Sequence, residues 1–148
     1  MKTPQRILVP TDFSKYADKA FDEALMLAKQ FKSEIYLLHV VEDIQQCAVD
    51  YCLEQGLVDQ YRTSSVNASK EKLQKEIKKN KEAEGVTITA DVRIGRPDEE
   101  ILKEEKEKKI DLIVIATHGK TGFIQHLMGS VAERVSRGAK SQVMLVKA

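Results

Sequence analysis

Neither sign of charge predominates in these 148 residues: 24 lysines and arginines stand against 23 aspartates and glutamates, a net charge of +1. Without an excess of positive charge there is no global field to gather polyanions, so nucleic-acid binding is not expected. No stretch approaches the roughly 20 apolar residues that cross a bilayer, so no membrane role is expected either. The opening Met1-Lys2-Thr3-Pro4-Gln5-Arg6 carries no apolar signal region, and a cytoplasmic location is the expectation. Cysteine is scarce. Cys47 and Cys52 lie five apart with no CxxC, and His39 is not at zinc-ligand spacing from them; two reduced thiols are expected rather than a metal or disulfide framework. Linkers, low-complexity tracts and internal repeats are absent, so residues 1–148 read as a single domain.

Two common nucleotide signatures are missing as well. No GxGxxG follows any strand-like run. Gly119-Lys120-Thr121 suggests a P-loop, but the glycine required five residues before Gly119 is replaced by Val114.

What the chain does have is alternation of apolar runs with helical patterns. Ile7-Leu8-Val9 is a short buried-strand run closed by Pro10-Thr11-Asp12. Ser14 is placed to cap a helix whose apolar positions, Ala17, Phe21, Ala24, Leu25, Ala28 and Phe31, recur at three- and four-residue steps. Residues 35–41 form a second nearly continuous apolar run, as expected of a sheet covered on both faces. Residues 43–60 show no clean period and read as loop or short helix. Residues 61–84 read as a charged amphipathic helix with a thin stripe of Val66, Leu73 and Ile77, ended by Gly85 as a C-cap glycine.

Val86 to Ile94 alternates, predicting an edge strand with one exposed face. Gly95-Arg96-Pro97-Asp98 then turns into a charged helix. Residues 110–116 form a fourth strand, 129–137 a helix stopped by Gly138, and Val143–Val146 a fifth strand. The expected fold is α/β: a doubly wound, five-stranded parallel sheet, order 3-2-1-4-5, with helices on both faces. In such a sheet ligands bind beyond the strands' carboxyl ends where the order reverses. The loops meeting there are Pro10-Thr11-Asp12-Phe13-Ser14 and Ala116-Thr117-His118-Gly119-Lys120-Thr121-Gly122. Glycines in such loops and a Gly129-Ser130 opening a helix suit a phosphate. His39 reads as a satisfied core histidine, His126 as a surface one, and His118 as a loop histidine making a structural hydrogen bond.

On these residues the chain resembles the universal stress protein family, in its ATP-binding branch. The family pattern is glycine, two residues, glycine, nine residues, then Gly-Ser or Gly-Thr. Ala116 stands at the first position, Gly119 at the second and Gly129-Ser130 at the last. Residues 7–14, Leu37-Leu38-His39-Val40, Gly95-Arg96-Pro97 and Val143-Met144-Leu145-Val146 also resemble the family. The resemblance implies that Gly119, Gly129, Ser130 and Val131 hold the phosphates of ATP; Lys120 in the same loop reads either as neutralising the terminal phosphate or as pointing into water. It implies that Asp12, preceded by Pro10 and Thr11, sits near ribose or a bound Mg²⁺. Val40 would hold adenine through its backbone, with Ile115 and Ala116 as the opposite wall and His118 nearby. Alanine in place of glycine at 116 is expected to weaken binding.

The implied role is a regulatory module acting on an unknown protein partner, homodimeric through the Val143–Val146 edge. A nucleotide-free dimeric scaffold is the alternative, as is a slow ATPase using Asp12 and His118.

Overall fold

Strand β1 (Arg6–Pro10) lies at the centre of the sheet, and Ile7, Leu8 and Val9 expose nothing to solvent. An unbroken apolar run is stable as a strand when helices cover both faces, and here they do. The computed structural model describes residues 2–119 and 128–147.

β1 pairs in parallel with β2 (Glu34–Val41) on one side and β4 (Leu112–Ala116) on the other. Outside β2 lies β3 (Ile88–Ile94), and outside β4 lies β5 (Gln142–Val146), both parallel to their neighbours. The order 3-2-1-4-5 is the one expected.

Side chains alternate across the strands, so each face has its own core. Ile7, Val9, Ile35, Leu37 and Val114 pack under helices α1 (Lys15–Phe31) and α3 (Gln55–Lys79), which contribute Phe21, Ala24, Leu25 and Leu73. On the other face, Leu8, Leu38, Ile113 and Ile115 pack under α4 (Pro97–Glu107) and α5 (Ser130–Gly138), through Ile101, Ala132 and Val135. Asp111 ties the lower ends of β1 and β4 together: its Oδ2 accepts from the backbone N–H groups of Gln5 and Arg6, each at 2.9 Å. No described helix is long and apolar enough to cross a membrane.

The structure redraws several boundaries. A short helix, α2 (Gln45–Asp50), follows β2, but residues 55–60 already belong to α3. Val58 is fully buried, so the inward stripe of α3 starts earlier than the period suggested. α3 also ends sooner, at Lys79, where Asn80 leaves the helical region. The Asn80 side chain caps a 3₁₀ turn over Lys81–Ala83. Gly85 is therefore not the helix cap; at φ +82° it turns the chain after that 3₁₀ turn. β3 begins at Ile88, and Gly138 is the last residue of α5 rather than the residue beyond it. A Cβ on Gly138 would fall 2.7 Å from Leu102 Cδ1, so glycine there serves the α4–α5 contact.

Candidate functional site

All five strands run the same way, so their carboxyl ends share one side of the sheet, and the order reverses between β1 and β4. That reversal opens a crevice. Its first wall is the loop leaving β1. Thr11 donates its N–H to Leu38 O (2.8 Å), and its Oγ1 accepts the N–H of Phe13 (3.0 Å). Asp12 Oδ1 accepts the N–H of Ser14 (3.0 Å), and Ser14 Oγ caps α1 through Ala17 N–H (3.2 Å). These local bonds hold Phe13 at φ +64°, a conformation that costs a non-glycine residue about 1–2 kcal/mol. The strained turn fixes the Asp12 carboxylate.

Asp12 faces the second wall. A Cβ built on Gly119 would lie 2.6 Å from Asp12 Oδ2, although Gly119 is not in the left-handed region. Glycine leaves space there, with the carboxylate against the bare backbone. The loop's far end returns to the same place: Gly129 donates its N–H to Thr117 O at 2.6 Å and caps α5. A Cβ on Gly129 would approach Thr117 O at 3.1 Å. Beyond it α5 opens with exposed Ser130 and half-buried Val131. The first N–H groups of a helix have no intrahelical acceptor and point toward this end.

Ala116 is the last residue of β4 and pairs with Val146. It is not among the residues at positive φ, so its Cβ carries no left-handed strain. Ile115 is 5% exposed and belongs to the core beneath α4 and α5. Thr117 continues toward β5 through its N–H to Val146 O (3.0 Å), and its Oγ1 lies 3.0 Å from His118 Nδ1. The Tyr16 ring centroid is 6.1 Å from that of His118.

The backbone of Val40 can be oriented from its neighbours. Leu38 C=O accepts from Thr11, toward β1, whereas Val41 C=O accepts from Gly95 N–H (3.0 Å), toward β3. Alternation turns the Val40 N–H and C=O to the β1 side, beyond the residue where β1 ends. The structure thus brings Pro10, Thr11, Asp12, Val40, Ile115, Ala116, His118, Gly119, Gly129, Ser130 and Val131 to one end of the sheet. Lys120, Thr121, Gly122 and His126 lie outside the described residues.

His39 is half-buried rather than a core residue. Its Nδ1 donates to Thr11 O at 2.8 Å, and its ring meets Phe13 at a centroid distance of 4.5 Å. Lys72 Nζ lies 5.2 Å from the other partner of that stack, the Phe13 ring. Sequence reasoning passed over Phe13 and Lys72, since nothing local signals the left-handed turn or the approach of α3. For His39 the clue was its position beyond the end of β1, next to Val40. Among the described residues no group of three or more His, Cys, Asp or Glu is arranged to hold a metal.

The family model described as the Universal stress protein family matches residues 3–147. Universal stress protein MJ0531 of Methanocaldococcus jannaschii is 34% identical over 143 residues, covering 97% of this chain and 82% of that protein. The solved structure of MJ0577, from the same organism, superposes with a TM-score of 0.85 at 27% identity, covering 99% of this chain and 98% of that one. A universal stress protein solved in complex with cAMP shares the fold at TM-score 0.68 and 22% identity, covering 98% of each chain.

Proposed function

The chain belongs to the universal stress protein family, and on that premise we propose that it binds ATP, with Mg²⁺, as a regulatory module. The observation that carries this reading is the meeting of Asp12 Oδ2 with the bare backbone of Gly119, beside a helix that opens on Gly129-Ser130. A carboxylate alone would repel phosphate. Beside a magnesium ion it becomes a ligand, because Mg²⁺ favours one or two carboxylates together with phosphate oxygens and water. The residues present fit that arrangement. Asp12 would supply the carboxylate, while Gly119, Gly129, Ser130 and Val131 offer backbone N–H groups and one hydroxyl to the phosphates. Lys120 is assigned to the terminal phosphate.

Pro10 and Thr11 shape the floor beneath the ribose. The Val40 backbone presents one donor and one acceptor, the pair an adenine edge requires. Ile115 and Ala116 close the base pocket, with His118 at its rim. Binding at Gly119 and Gly129 would change the surface that a regulatory protein reads. We assign a homodimer to the β5 edge, where Val143–Val146 lies outermost.

Calorimetric titration with ATP, ADP, AMP and cAMP, each with and without Mg²⁺, tests the proposal. Expected is Mg²⁺-dependent ATP binding that Gly129→Leu abolishes. No heat or saturation at millimolar ATP with Mg²⁺ would refute it.

A further inference from the structure

Away from the crevice, the face of edge strand β3 that meets α4 is charged. Asp91 and Arg93 lie in register with Leu38 and Val40, whose side chains join the core under α4. Above them α4 presents Glu100, Glu104 and Glu107 along one stripe. Arg93 Nε donates to Glu100 Oε2 (2.8 Å), and its Nη1 to Glu104 Oε2 and Glu107 Oε2 (2.9 Å each). Lys103 Nζ donates to Glu100 Oε1 (2.8 Å). Two cations, Arg93 and Lys103, thus face the four carboxyl groups of Asp91, Glu100, Glu104 and Glu107.

Arg93 satisfies only half of Glu104. That residue is 2% exposed, yet its Oε1 has no donor, and Asp91 Oδ2 is likewise buried without one. Buried carboxylate oxygens are not left bare at equilibrium. One proton satisfies both, as an O–H on one carboxyl donated to the other.

We propose that Asp91 and Glu104 share a single proton, and that this proton clasps α4 onto the edge strand in a pH-responsive way. Burial, reinforced by the bond to Asp91, pushes the Glu104 carboxyl up to about 7 against the pull of Arg93. Glu100 is desolvated too, but its bonds to Lys103 and Arg93 hold it below the ordinary range. Exposed Glu107 is held low by Arg93. β2 presents Tyr36 on this face, with Lys108 Nζ 5.8 Å from its ring, and α5 meets α4 through apolar Ala132 and Val135.

The sign follows from the raised value. Folded Glu104 keeps a proton that the unfolded chain releases above its ordinary 4.5, so stability declines as pH rises from there to about 7. Above that range the clasp carries a second uncompensated negative charge. The pivot available to α4 is Gly95, at φ +150°, which joins it to β3.

The test is a carbon-detected NMR titration of side-chain carboxyls in the full chain, with hydrogen exchange of the α4 amides at pH 6 and 8. Glu104 is expected to titrate with a midpoint near 7. Protection of α4, corrected for intrinsic exchange, should drop by pH 8 in the wild type and stay constant in Glu104→Gln. A Glu104 midpoint in the ordinary carboxylate range would overturn the proposal, as would the same loss of protection in Glu104→Gln. Should that variant not fold, Asp91→Asn serves: its amide can donate to Glu104, so the Glu104 midpoint falls, and an unchanged midpoint overturns the proposal.

Discussion

Replacing Gly119 with alanine separates a packing role from a ligand role at the crevice. The new Cβ would lie 2.6 Å from Asp12 Oδ2, several tenths of an ångström inside any ordinary carbon–oxygen contact. Either the loop or the carboxylate moves. Asp12 is not a free rotor, because its Oδ1 accepts the Ser14 N–H at 3.0 Å at the head of α1. Giving up that half-exposed, charge-assisted bond costs about 1 kcal/mol. Alanine at a backbone position it tolerates returns about 0.4–1 kcal/mol by restricting the unfolded chain. The net change in stability is therefore small, from about zero to about 0.6 kcal/mol of loss.

The decisive number is a coupling. In an Asp12→Ala background the space is open, and Gly119→Ala should be neutral or stabilising, leaving an interaction of about 1 kcal/mol between the two sites. Denaturant titration of the four proteins measures it. Nucleotide titration then reads the second role: each single variant weakens Mg²⁺-ATP binding, and the double variant is no worse than Asp12→Ala. Costs that add to within about 0.3 kcal/mol would refute the contact. Unchanged nucleotide affinity in Gly119→Ala would refute its place in the site.

Other perturbations follow from the same geometry. Glu105, 7% exposed, accepts from Lys140 N–H (2.9 Å), Ser141 N–H (2.7 Å) and Ser141 Oγ (2.6 Å); Glu105→Ala should cost about 2–4 kcal/mol in chemical denaturation. Gly95→Ala forces a Cβ to 2.9 Å from Glu100 at φ +150°, and a loss of about 1–3 kcal/mol is expected in the same assay. Leu145→Lys places a charge on the outer strand, so sedimentation should show a dimeric wild type and a monomeric variant of nearly equal melting temperature. Burial, and then Asp18, raises the Glu76 carboxyl. It keeps a proton the unfolded chain has lost, so Glu76→Gln should reduce the decline of thermal stability as pH rises above 4.5.

The central strands and α1 were legible because their information is local: Ile7–Val9 and Ile113–Ile115 are apolar without interruption, and Ser14 does cap its helix. Handed crossovers between parallel strands narrowed the topology to a doubly wound sheet, within which 3-2-1-4-5 is one of the permitted orders. What was not legible depends on partners distant in sequence. Alternation in β3 suggested a solvent face, yet Asp91 and Arg93 are half-buried because α4 supplies Glu100 and Glu104 above them. Asn80 ended α3 early through a side-chain cap that periodicity does not register. At the crevice, glycine spacing located Gly119 and Gly129 but not the reason for them. Gly119 gives clearance from Asp12, more than 100 positions away, rather than meeting a special φ.

The two borders of the sheet are unlike. β3 ends in a surface of opposed charges held down by a helix, whereas β5 ends in Val143, Met144, Leu145 and Val146, with Leu145 38% exposed. A strand border is a template for another strand, and a protein with two such templates can grow into arrays without limit. Of these two borders, only β5 is proposed to pair. Used by a second copy about a two-fold axis, it is consumed on both partners at once, and growth stops at two. In the proposed dimer, the charge layer on β3 would act as a terminator, limiting how many chains one continuous sheet could recruit, whatever the crevice holds.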